Sequence, residues 1–565
     1  MNKGGGKKFR PAPHLPFISF PLLSCLILLL ILLIGCRENL PEIFSLDPPI
    51  DYMGQILTIK GTGFGNERNE SYITIGGIPP TSSSYLSWSD NEIVLRTPEF
   101  GDAGLVYVHR GRNRSNPALF ANMQNLPFPP RETEGINPRI ISIEPASGPI
   151  GSLITIYGRN FGSSRNTGAV YFTWDAEPSP AAPVSTGSIP AAERELAYEF
   201  WSDREIRVRI PDGAASGNME VRTIRGDSPP VYLEISGRPG TKTFRNRQNY
   251  ILSYSVNINV LTAMAPNSLF LFMPLPVSSS SQRNASVISR SREPFIENYL
   301  GTSIFQINNL LPGNTPSINQ SFHVEVYEVE TDFRTLTPPR LNSPLPANSV
   351  FTTSSYLIPS DNPQIIERAT AIIGRETLVY TRARLIYQWL IANMEFSSGE
   401  SGDGSAFSGI ANGESIVQAL SNGRGSSFEI AMLYTSLLRS AGISAMPVSG
   451  ILVDPYMDTY MHFWTEFWMD GFGWIPVDPA LGAGAAPPLF LLRENHEQYY
   501  FGNLDNHRIT FSRGEYNLMQ MTPQSRIVTP GPVFSLQNLS EEAAGGLDSY
   551  TSVWSNISVS GMYVQ

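Results

Sequence analysis

The first half of the chain contains an internal repeat, and this repeat constrains the fold more than any other feature. Residues 41–65 and residues 138–162 carry the same succession of an apolar stretch, a glycine, a second apolar stretch and a Gly-x-x-Phe-Gly turn. A Trp-Ser-Asp-x-Glu-Ile block then begins at Trp88 in the first copy and at Trp201 in the second. Short apolar runs broken by Gly, Pro and Asn predict antiparallel strands, so each copy should form a β-sandwich.

The second copy is longer than the first. Gly61 and Gly158, which open the two Gly-x-x-Phe-Gly turns, are 97 residues apart, whereas the two Trp-Ser-Asp blocks are 113 residues apart. The second copy therefore carries 16 additional residues, which we place between positions 178 and 192. Each copy resembles the IPT/TIG family of immunoglobulin-like domains. The resemblance implies either a stalk or a ligand-binding module, because a fold alone does not define a function.

Residues 423–479 hold four motifs in a fixed order. They read Gly423-Arg-Gly-Ser-Ser-Phe-Glu-Ile-Ala, Leu438-Arg-Ser-Ala-Gly-Ile, His462-Phe-Trp-Thr-Glu and Gly473-Trp-Ile-Pro-Val-Asp-Pro. This set resembles the transglutaminase-like superfamily, whose members share a papain-like Cys-His-Asp site. The resemblance implies that Ser427 stands in the position of the nucleophilic cysteine. It further implies that His462 exchanges the proton of the nucleophile and that Asp478 orients the imidazole.

The replacement of a thiol by a hydroxyl changes the chemistry that this site can perform. The start of a helix stabilises a thiolate, because unpaired N–H groups and the helix dipole favour negative charge there. A serine cannot be held as an anion in this way and must lose its proton during attack, with a base and an oxyanion hole in place. Serine is also a favoured N-cap residue, so Ser427 could serve the helix alone, and Ser426 is an alternative cap.

Local patterns predict the elements around this site. A helix begins near Pro363 with Ser360 or Asp361 as its cap, and the later elements follow from apolar spacing and turn residues. The later elements are a helix over 377–393, a mobile Gly/Ser-rich loop over 397–413, a short helix over 414–420, a helix over 427–441, a strand beginning at His462, a turn at Asp470-Gly471 and a strand that contains Asp478.

The cysteine content excludes a second thiol nucleophile. Cys25 and Cys36 are the two cysteines of the 565 residues. Both precede the repeats, which excludes structural disulfides and cysteine metal sites from the mature protein. His496 and His507 lack the spacing of a zinc site, and no phosphate-binding glycine loop follows the leader. We therefore expect no metal, no nucleotide and no other cofactor.

The N-terminus has the pattern of an export signal. Lys3, Lys7, Lys8 and Arg10 precede the apolar run 17–34, which ends at Gly35-Cys36. This end resembles a bacterial lipobox, which implies removal of residues 1–35 and lipidation of Cys36. An uncleaved transmembrane anchor is the alternative, because the run approaches the roughly 18 residues that span a bilayer. Both interpretations predict an exported protein tethered to a bacterial membrane on its periplasmic or cell-surface side.

The charge of the mature chain limits the classes of partner that it is expected to bind. The formal net charge is −10, and loss of the four basic residues in positions 1–35 makes it −14. An acidic protein of this kind is a poor partner for nucleic acid or for an anionic membrane surface. Peptide or protein amides, including peptidoglycan stem peptides, are the ligands that the transglutaminase-like resemblance implies.

Together these observations predict a multidomain protein of two IPT/TIG β-sandwiches, a further β-sandwich and an α+β papain-like transglutaminase core. The predicted segments are a lipoprotein signal peptide (1–35), IPT/TIG domains (40–123 and 138–237), a β-sandwich (241–350), the core (359–484) and a β-rich C-terminal extension (485–565).

Three functions remain open from the sequence, and whether the protein is an enzyme depends on Ser427. The first is a non-catalytic binding or scaffolding lipoprotein for proteins or cell-wall peptides. The second is a serine-dependent peptidase, amidase or acyltransferase that uses Ser427, His462 and Asp478. In the third, the protein is a structural stalk whose cleft is unused.

Overall fold

The computed structural model describes most of the chain beyond the predicted leader. The described ranges are 40–51, 53–98, 104–111, 113–122, 137–177, 186–236, 242–334, 344–345, 349–396, 413–522, 525–528 and 534–564. The predicted signal peptide, the lipidation site Cys36 and nearly all of the predicted mobile loop (397–412) lie outside these ranges. No helix within them is both long enough and apolar enough to cross a bilayer.

The first repeat folds into two facing sheets. Its strands are β1 (Glu42–Asp47), β2 (Ile50–Asp51), β3 (Ile56–Thr62), β4 (Tyr72–Ile75), β5 (Tyr85–Trp88), β6 (Glu92–Arg96), β7 (Gly104–Arg110), β8 (Asn113–Arg114) and β9 (Ala118–Asn122). One sheet has the order β1-β3-β6-β5, and the other has the order β2-β9-β7-β4 with β8 beside β7. Alternate residues of both sheets fill the core between them, as in other β-sandwiches.

The second repeat has the same plan with one further strand. Its strands are β10 (Arg139–Glu144), β11 (Ser147–Gly148), β12 (Leu153–Arg159), β13 (Ala169–Asp175), β14 (Thr186–Pro190), β15 (Tyr198–Trp201), β16 (Glu205–Arg209), β17 (Gly217–Thr223), β18 (Gly226–Asp227) and β19 (Val231–Ile235). The extra strand β14 pairs with β13 at the edge of a sheet. It lies within positions 178–192, where the sequence comparison placed the additional residues.

The repeated motifs make the same contacts in both copies. The indole N–H of Trp88 donates to the carbonyl of Phe64 at 3.1 Å, and that of Trp201 donates to the carbonyl of Phe161 at 3.2 Å. These bonds tie the Trp-Ser-Asp block to the Phe-Gly turn in each sandwich. The recurrence of the two motifs in the sequence therefore reflects one recurring contact.

The glycine of each turn is required by packing. A Cβ on Gly61 would lie 2.3 Å from the ring of Phe64, and one on Gly158 would lie 2.2 Å from the ring of Phe161. Both distances are far inside van der Waals contact, so any side chain would displace the aromatic ring beneath it.

A seven-stranded sheet follows the four sheets of the two repeats, and we call it the third sheet because it belongs to the third β-structured unit of the chain. Four of its strands precede the core. These are β20 (Lys242–Pro274), β21 (Gln282–Arg290), β22 (Thr302–Asn308) and β23 (Ser317–Thr331). Residues of β23 alternate between buried and more exposed positions along most of its length, as the sequence pattern predicts for a half-buried strand.

The core that follows combines helices with a four-stranded antiparallel sheet. Its elements are α1 (Pro363–Ile373), α2 (Val379–Asn393), β24 (Glu395–Phe396), α3 (Gly413–Asn422), β25 (Arg424–Gly425), α4 (Ser427–Ser440), β26 (Ala445–Val453), β27 (Thr459–Met469), β28 (Gly473–Val477), α5 (Pro479–Gly482), α6 (His496–Tyr499) and β29 (Arg508–Arg513). The sheet order is β28-β27-β26-β29. The helices and the turn at 470–472 match the sequence predictions closely.

Three local predictions need correction. The N-cap of α1 is Asn362, whose side chain accepts from the N–H of Gln364 at 2.9 Å, and not Ser360 or Asp361. His462 lies inside β27, which begins three residues earlier at Thr459. Asp478 follows β28 and is the N-cap of α5, so it is not a strand residue. Small shifts of caps and element ends are common, because the ends fray and neighbouring polar residues can replace one another as caps.

The last strands complete the third sheet. They are β30 (Arg526–Val528), β31 (Glu541–Trp554) and β32 (Ser558–Val564). Both β31 and β32 pair with β20, so the chain returns to this sheet after passing through the core. The sheet therefore joins two segments that the sequence analysis assigned to the 241–350 sandwich and to the 485–565 extension.

The second repeat packs directly against the core. Trp174 and Trp201 of the repeat belong to one continuous hydrophobic cluster with Val448 and Trp464 of the core sheet. On the opposite face of the sheet, Phe463 and other residues of β27 pack against α4. The second repeat is thus one wall of the core, and it does not hold the core at a distance.

Candidate functional site

The helix α4 begins with a cap at Ser426. The backbone N–H of Ser426 donates to the carboxylate of Glu429 at 2.9 Å, and its hydroxyl is hydrogen-bonded to the same carboxylate. Ser427 is the first helical residue and does not act as the cap. The alternative register, with Ser426 as the cap, is therefore the one that the structure adopts.

Ser427 lies at the point where the helix meets strand β27. The next residue, Phe428, packs edge-on against Phe463 with ring centroids 5.2 Å apart, and Phe463 directly follows His462. Ser427 is half-buried, and its hydroxyl makes no hydrogen bond to any residue that the structure describes. The helix start therefore reaches the strand of His462 without a bond between the two side chains.

His462 and Asp478 form a buried pair. The imidazole Nε2 lies 2.7 Å from Oδ2 of Asp478, and the two residues are 3% and 0% exposed. The other carboxylate oxygen accepts from the N–H of Leu481 at 3.1 Å, which fixes the carboxylate at the start of α5. When Nε2 donates to Asp478, Nδ1 is the nitrogen available to a nucleophile. Acyl-transfer sites likewise use a carboxylate to orient the imidazole that serves as the base.

Arg508 is part of this cluster, although no sequence motif pointed to it. Its guanidinium lies 3.0 Å from Oδ2 of Asp478 and 2.8 Å from Oδ2 of Asp505. It also covers the ring of Trp464 at 4.9 Å. Arg508 is the first residue of β29 and pairs with Leu452 of the neighbouring strand β26, and this pairing places its side chain in the site. The sequence predicted β-structure in this segment, and β29 confirms it. The identity of the neighbouring strand is set by tertiary packing.

The charges around Asp478 keep it ionised. Burial raises the pKa of this carboxyl, but His462, Arg508 and the N–H of Leu481 more than offset that effect, so its pKa lies below the usual value. The pKa of Asp505 is depressed to about 2, because Arg508 and His507 outweigh the effect of burial. The two carboxylates share Arg508, and together they form a buried, fully charged network.

Glu466 and Trp474 connect the core to the second repeat. Arg513 donates to Glu466 at 2.6 Å and also forms an ion pair with Glu195 of the second repeat. The indole of Trp474 donates to the same Glu195 at 3.1 Å. Burial raises the pKa of Glu466, an effect that Arg513 opposes. These two residues of the motifs therefore brace the domain interface.

The described residues show no metal-binding cluster. No group of three or more His, Cys, Asp or Glu side chains is placed to hold an ion within the described ranges. His496 bonds through Nδ1 to the carbonyl of Gly482 at 2.7 Å, which is a structural contact. Cys36 lies outside the described ranges, so its lipidation remains a sequence prediction.

Comparison with known families agrees with this architecture. The transglutaminase-like superfamily matches residues 366–479, and the IPT/TIG domain matches residues 41–120 and 138–235. The chain thus contains a domain of the transglutaminase-like superfamily preceded by two IPT/TIG domains. Ser427, His462 and Asp478 all lie within the transglutaminase-like match, whereas Arg508 lies beyond its end.

One relative and two solved structures illustrate the similarity. An uncharacterized protein of Haemophilus influenzae is 29% identical over 132 residues, which cover 19% of this chain and 34% of the relative. The match thus spans about a third of that relative's length. A candidate cysteine protease from Cytophaga hutchinsonii aligns at 18% identity with a TM-score of 0.36, over 57% of this chain and 92% of that chain.

The periplasmic domain of TgpA from Pseudomonas aeruginosa is similar at a lower level. It aligns at 13% identity with a TM-score of 0.21, over 43% of this chain and 92% of that domain. At these levels neither solved structure bears on the activity or the ligand of this chain.

Proposed function

We propose that this protein is an exported, lipid-anchored pseudoenzyme. In this proposal its transglutaminase-like domain binds a protein or a cell-wall peptide and does not catalyse acyl transfer. The observation that carries the proposal is the hydroxyl of Ser427 in the place of a thiol, without a hydrogen bond to His462.

The energetics of a serine support this interpretation. A general base must lie about 2.6–3.2 Å from the oxygen or sulfur atom whose proton it removes, or act through one water. Free hydroxyls do not ionise near neutral pH, whereas a thiol with a pKa near 8.5 is readily held as a thiolate at a helix start. A site shaped for sulfur therefore loses most of its chemistry when oxygen replaces it.

The retention of His462 and Asp478 has a structural explanation. Asp478 accepts from His462, from Arg508 and from the N–H of Leu481 in the interior. Removing one partner of such a buried network leaves the others uncompensated, which is strongly destabilising. The pair would therefore be kept for stability in a protein without catalysis.

Export and anchoring rest on the sequence. The basic and apolar leader ends at Cys36, the position at which lipidation would tether the chain to a bacterial membrane. Because the second repeat packs on the core, the IPT/TIG domains and the cleft would be parts of one structural unit. We infer a role in the cell envelope for this assembly.

A serine-dependent hydrolase is the second candidate, and the buried 2.7 Å pair of His462 and Asp478 favours it. Measurements of ligand binding and of product formation distinguish the two proposed functions. Purified protein should retain peptidoglycan fragments or an envelope protein in pull-downs without releasing any cleaved or cross-linked product. A Ser427→Ala variant should bind as the parent does, since the proposal gives the hydroxyl no chemical role. Turnover that disappears in this variant would favour the hydrolase.

A further inference from the structure

We propose that a pocket at the junction of the second repeat, the third sheet and the C-terminal segment binds a carboxylate on a short apolar body. We call it the Arg194 pocket. Its volume is about 370 Å³, and all of its lining residues are described. None of them belongs to the Ser427, His462 and Asp478 set, so this inference does not depend on the role of that site.

The walls of the Arg194 pocket come from separate parts of the chain. Val287 and Phe322 of the third sheet form its apolar side together with Leu275, which directly follows β20. Tyr516 of the C-terminal segment closes another side. Arg194 comes from the second repeat. Ligand pockets prefer such junctions, and they commonly enclose about 300–1,000 Å³ of mainly apolar surface with a few polar groups.

Arg194 carries a charge that the described residues do not neutralise. Its guanidinium lies 3.6 Å from the ring centroid of Tyr516 and donates to the carbonyl of Leu300 at 2.5 Å. It makes no ion pair with any carboxylate within the described ranges. By contrast, the buried arginines Arg508 and Arg513 each pair with two carboxylates.

The two acidic neighbours of Arg194 are engaged elsewhere. Glu193 accepts from the backbone and hydroxyl of Ser83 in the first repeat, both at 2.9 Å. Glu195 pairs with Arg513 and Trp474 of the core. The single-turn 3-10 helix Glu193–Glu195 therefore directs its carboxylates away from the pocket and leaves its guanidinium facing the pocket.

A guanidinium has five N–H donors. The carbonyl of Leu300 and the hydroxyl of Tyr516 engage two of them, which leaves donors for a ligand. Burial lowers the pKa of the Arg194 guanidinium, an effect that Tyr516 and Tyr299 oppose. A carboxylate is the group that restores such a charge balance, often through two parallel hydrogen bonds. The adjacent apolar wall would hold a short aliphatic chain. Two kinds of ligand carry a carboxylate on such a chain: a free acid and the carboxyl end of a peptide.

The test uses three probes with the full-length protein. Binding of hexanoate, N-acetyl-glycyl-leucine and N-acetyl-glycyl-leucinamide is measured by ligand-observed NMR and calorimetry. Both carboxylates should bind saturably, and the amide should bind about tenfold more weakly or worse, because it lacks the charge. Tighter binding of the dipeptide would identify a chain end, and equal or tighter binding of hexanoate would identify a free acid.

Matched variants locate the binding. Arg194→Gln should lower the affinity for both carboxylate probes about tenfold or more. Arg204→Gln removes the same charge from an exposed position of the same repeat and should leave both affinities unchanged. If Arg194→Gln does not fold, as judged by circular dichroism, Val287→Trp tests the pocket by filling it and should abolish binding. The proposal fails if neither carboxylate binds the folded parent. It also fails if the amide binds equally well, or if the folded Arg194→Gln variant, or Val287→Trp in its place, retains full affinity.

Discussion

His462 and Arg508 bind the same carboxylate oxygen. Nε2 of the histidine lies 2.7 Å, and the guanidinium of the arginine 3.0 Å, from Oδ2 of Asp478. The imidazole is therefore held by a carboxylate that is itself held by a buried cation from another strand. The residues of the candidate site therefore also stabilise the fold of the core.

Replacing Asp478 should destabilise the core. Asp478→Asn leaves Arg508 with one carboxylate and weakens the bond of the imidazole, so we expect a loss of about 3 kcal/mol or more. The free energy of opening can be measured by native-state hydrogen exchange of amides in β26 and β27. The exposed Asp458→Asn is the matched control. A loss within about 0.5 kcal/mol, the range of ordinary surface changes, would contradict the structural role.

The same network should make the core sensitive to acid. The folded-state pKa values of Asp478 and Asp505 lie below those of the unfolded chain, the latter at about 2. Their stabilisation is thus fully present above about pH 4 and is lost as the pH falls through the folded values. Amide protection in β29 should fall from pH 4 toward pH 2, and the fall should be shallower in Asp505→Asn. Equal slopes for the parent and the variant would exclude this cause.

The turn glycine of the second repeat should not tolerate a side chain. Gly158→Ala places a Cβ 2.2 Å from the ring of Phe161 and 2.3 Å from the carbonyl of Arg139, so we expect destabilisation by about 1–3 kcal/mol or more. Gly187→Ala in the same repeat is the control, because its nearest neighbour lies at an ordinary 3.6 Å. Thermal unfolding of both variants measures the difference. Equal midpoints would show that the turn adjusts freely.

The ion pair and the hydrogen bond of Glu195 should hold the second repeat against the core. Glu195→Gln weakens its bonds to Arg513 and Trp474, and the interface should then open more often. Faster hydrogen exchange in β15 and β28 is the expected result. The exposed Glu234→Gln in the same repeat should have no effect there. Unchanged exchange in Glu195→Gln would show that the apolar contacts alone hold the interface.

Short-range patterns in the sequence predicted much of this fold. The spacing of apolar residues located the core helices, Asp470-Gly471 marked the hairpin turn, and strict alternation located β23. These signals are local, because side-chain direction repeats every two residues in a strand and every 3.6 in a helix. The length difference between the two repeats also located the additional residues of the second copy, among which β14 lies.

These local patterns could not predict the contacts between segments that are distant in the sequence. Val256 pairs with Trp554 across most of the C-terminal half, and nothing in either segment identifies the other as its partner. Arg508 was missed for the same reason, since its neighbours in the sheet lie far away in the chain. Local competition between polar residues accounts for the shifted caps at Asn362 and Ser426. Pairing and caps depend on tertiary packing, which periodicity does not report.

The most direct test of the account is labelling of the intact protein with a fluorophosphonate, a probe that reacts with activated serines. We predict that Ser427 is not labelled above the level found elsewhere on the surface, and that the parent and Ser427→Ala give the same result. Stoichiometric labelling at Ser427 that is lost in His462→Ala would contradict it, because it would show a working nucleophile and base.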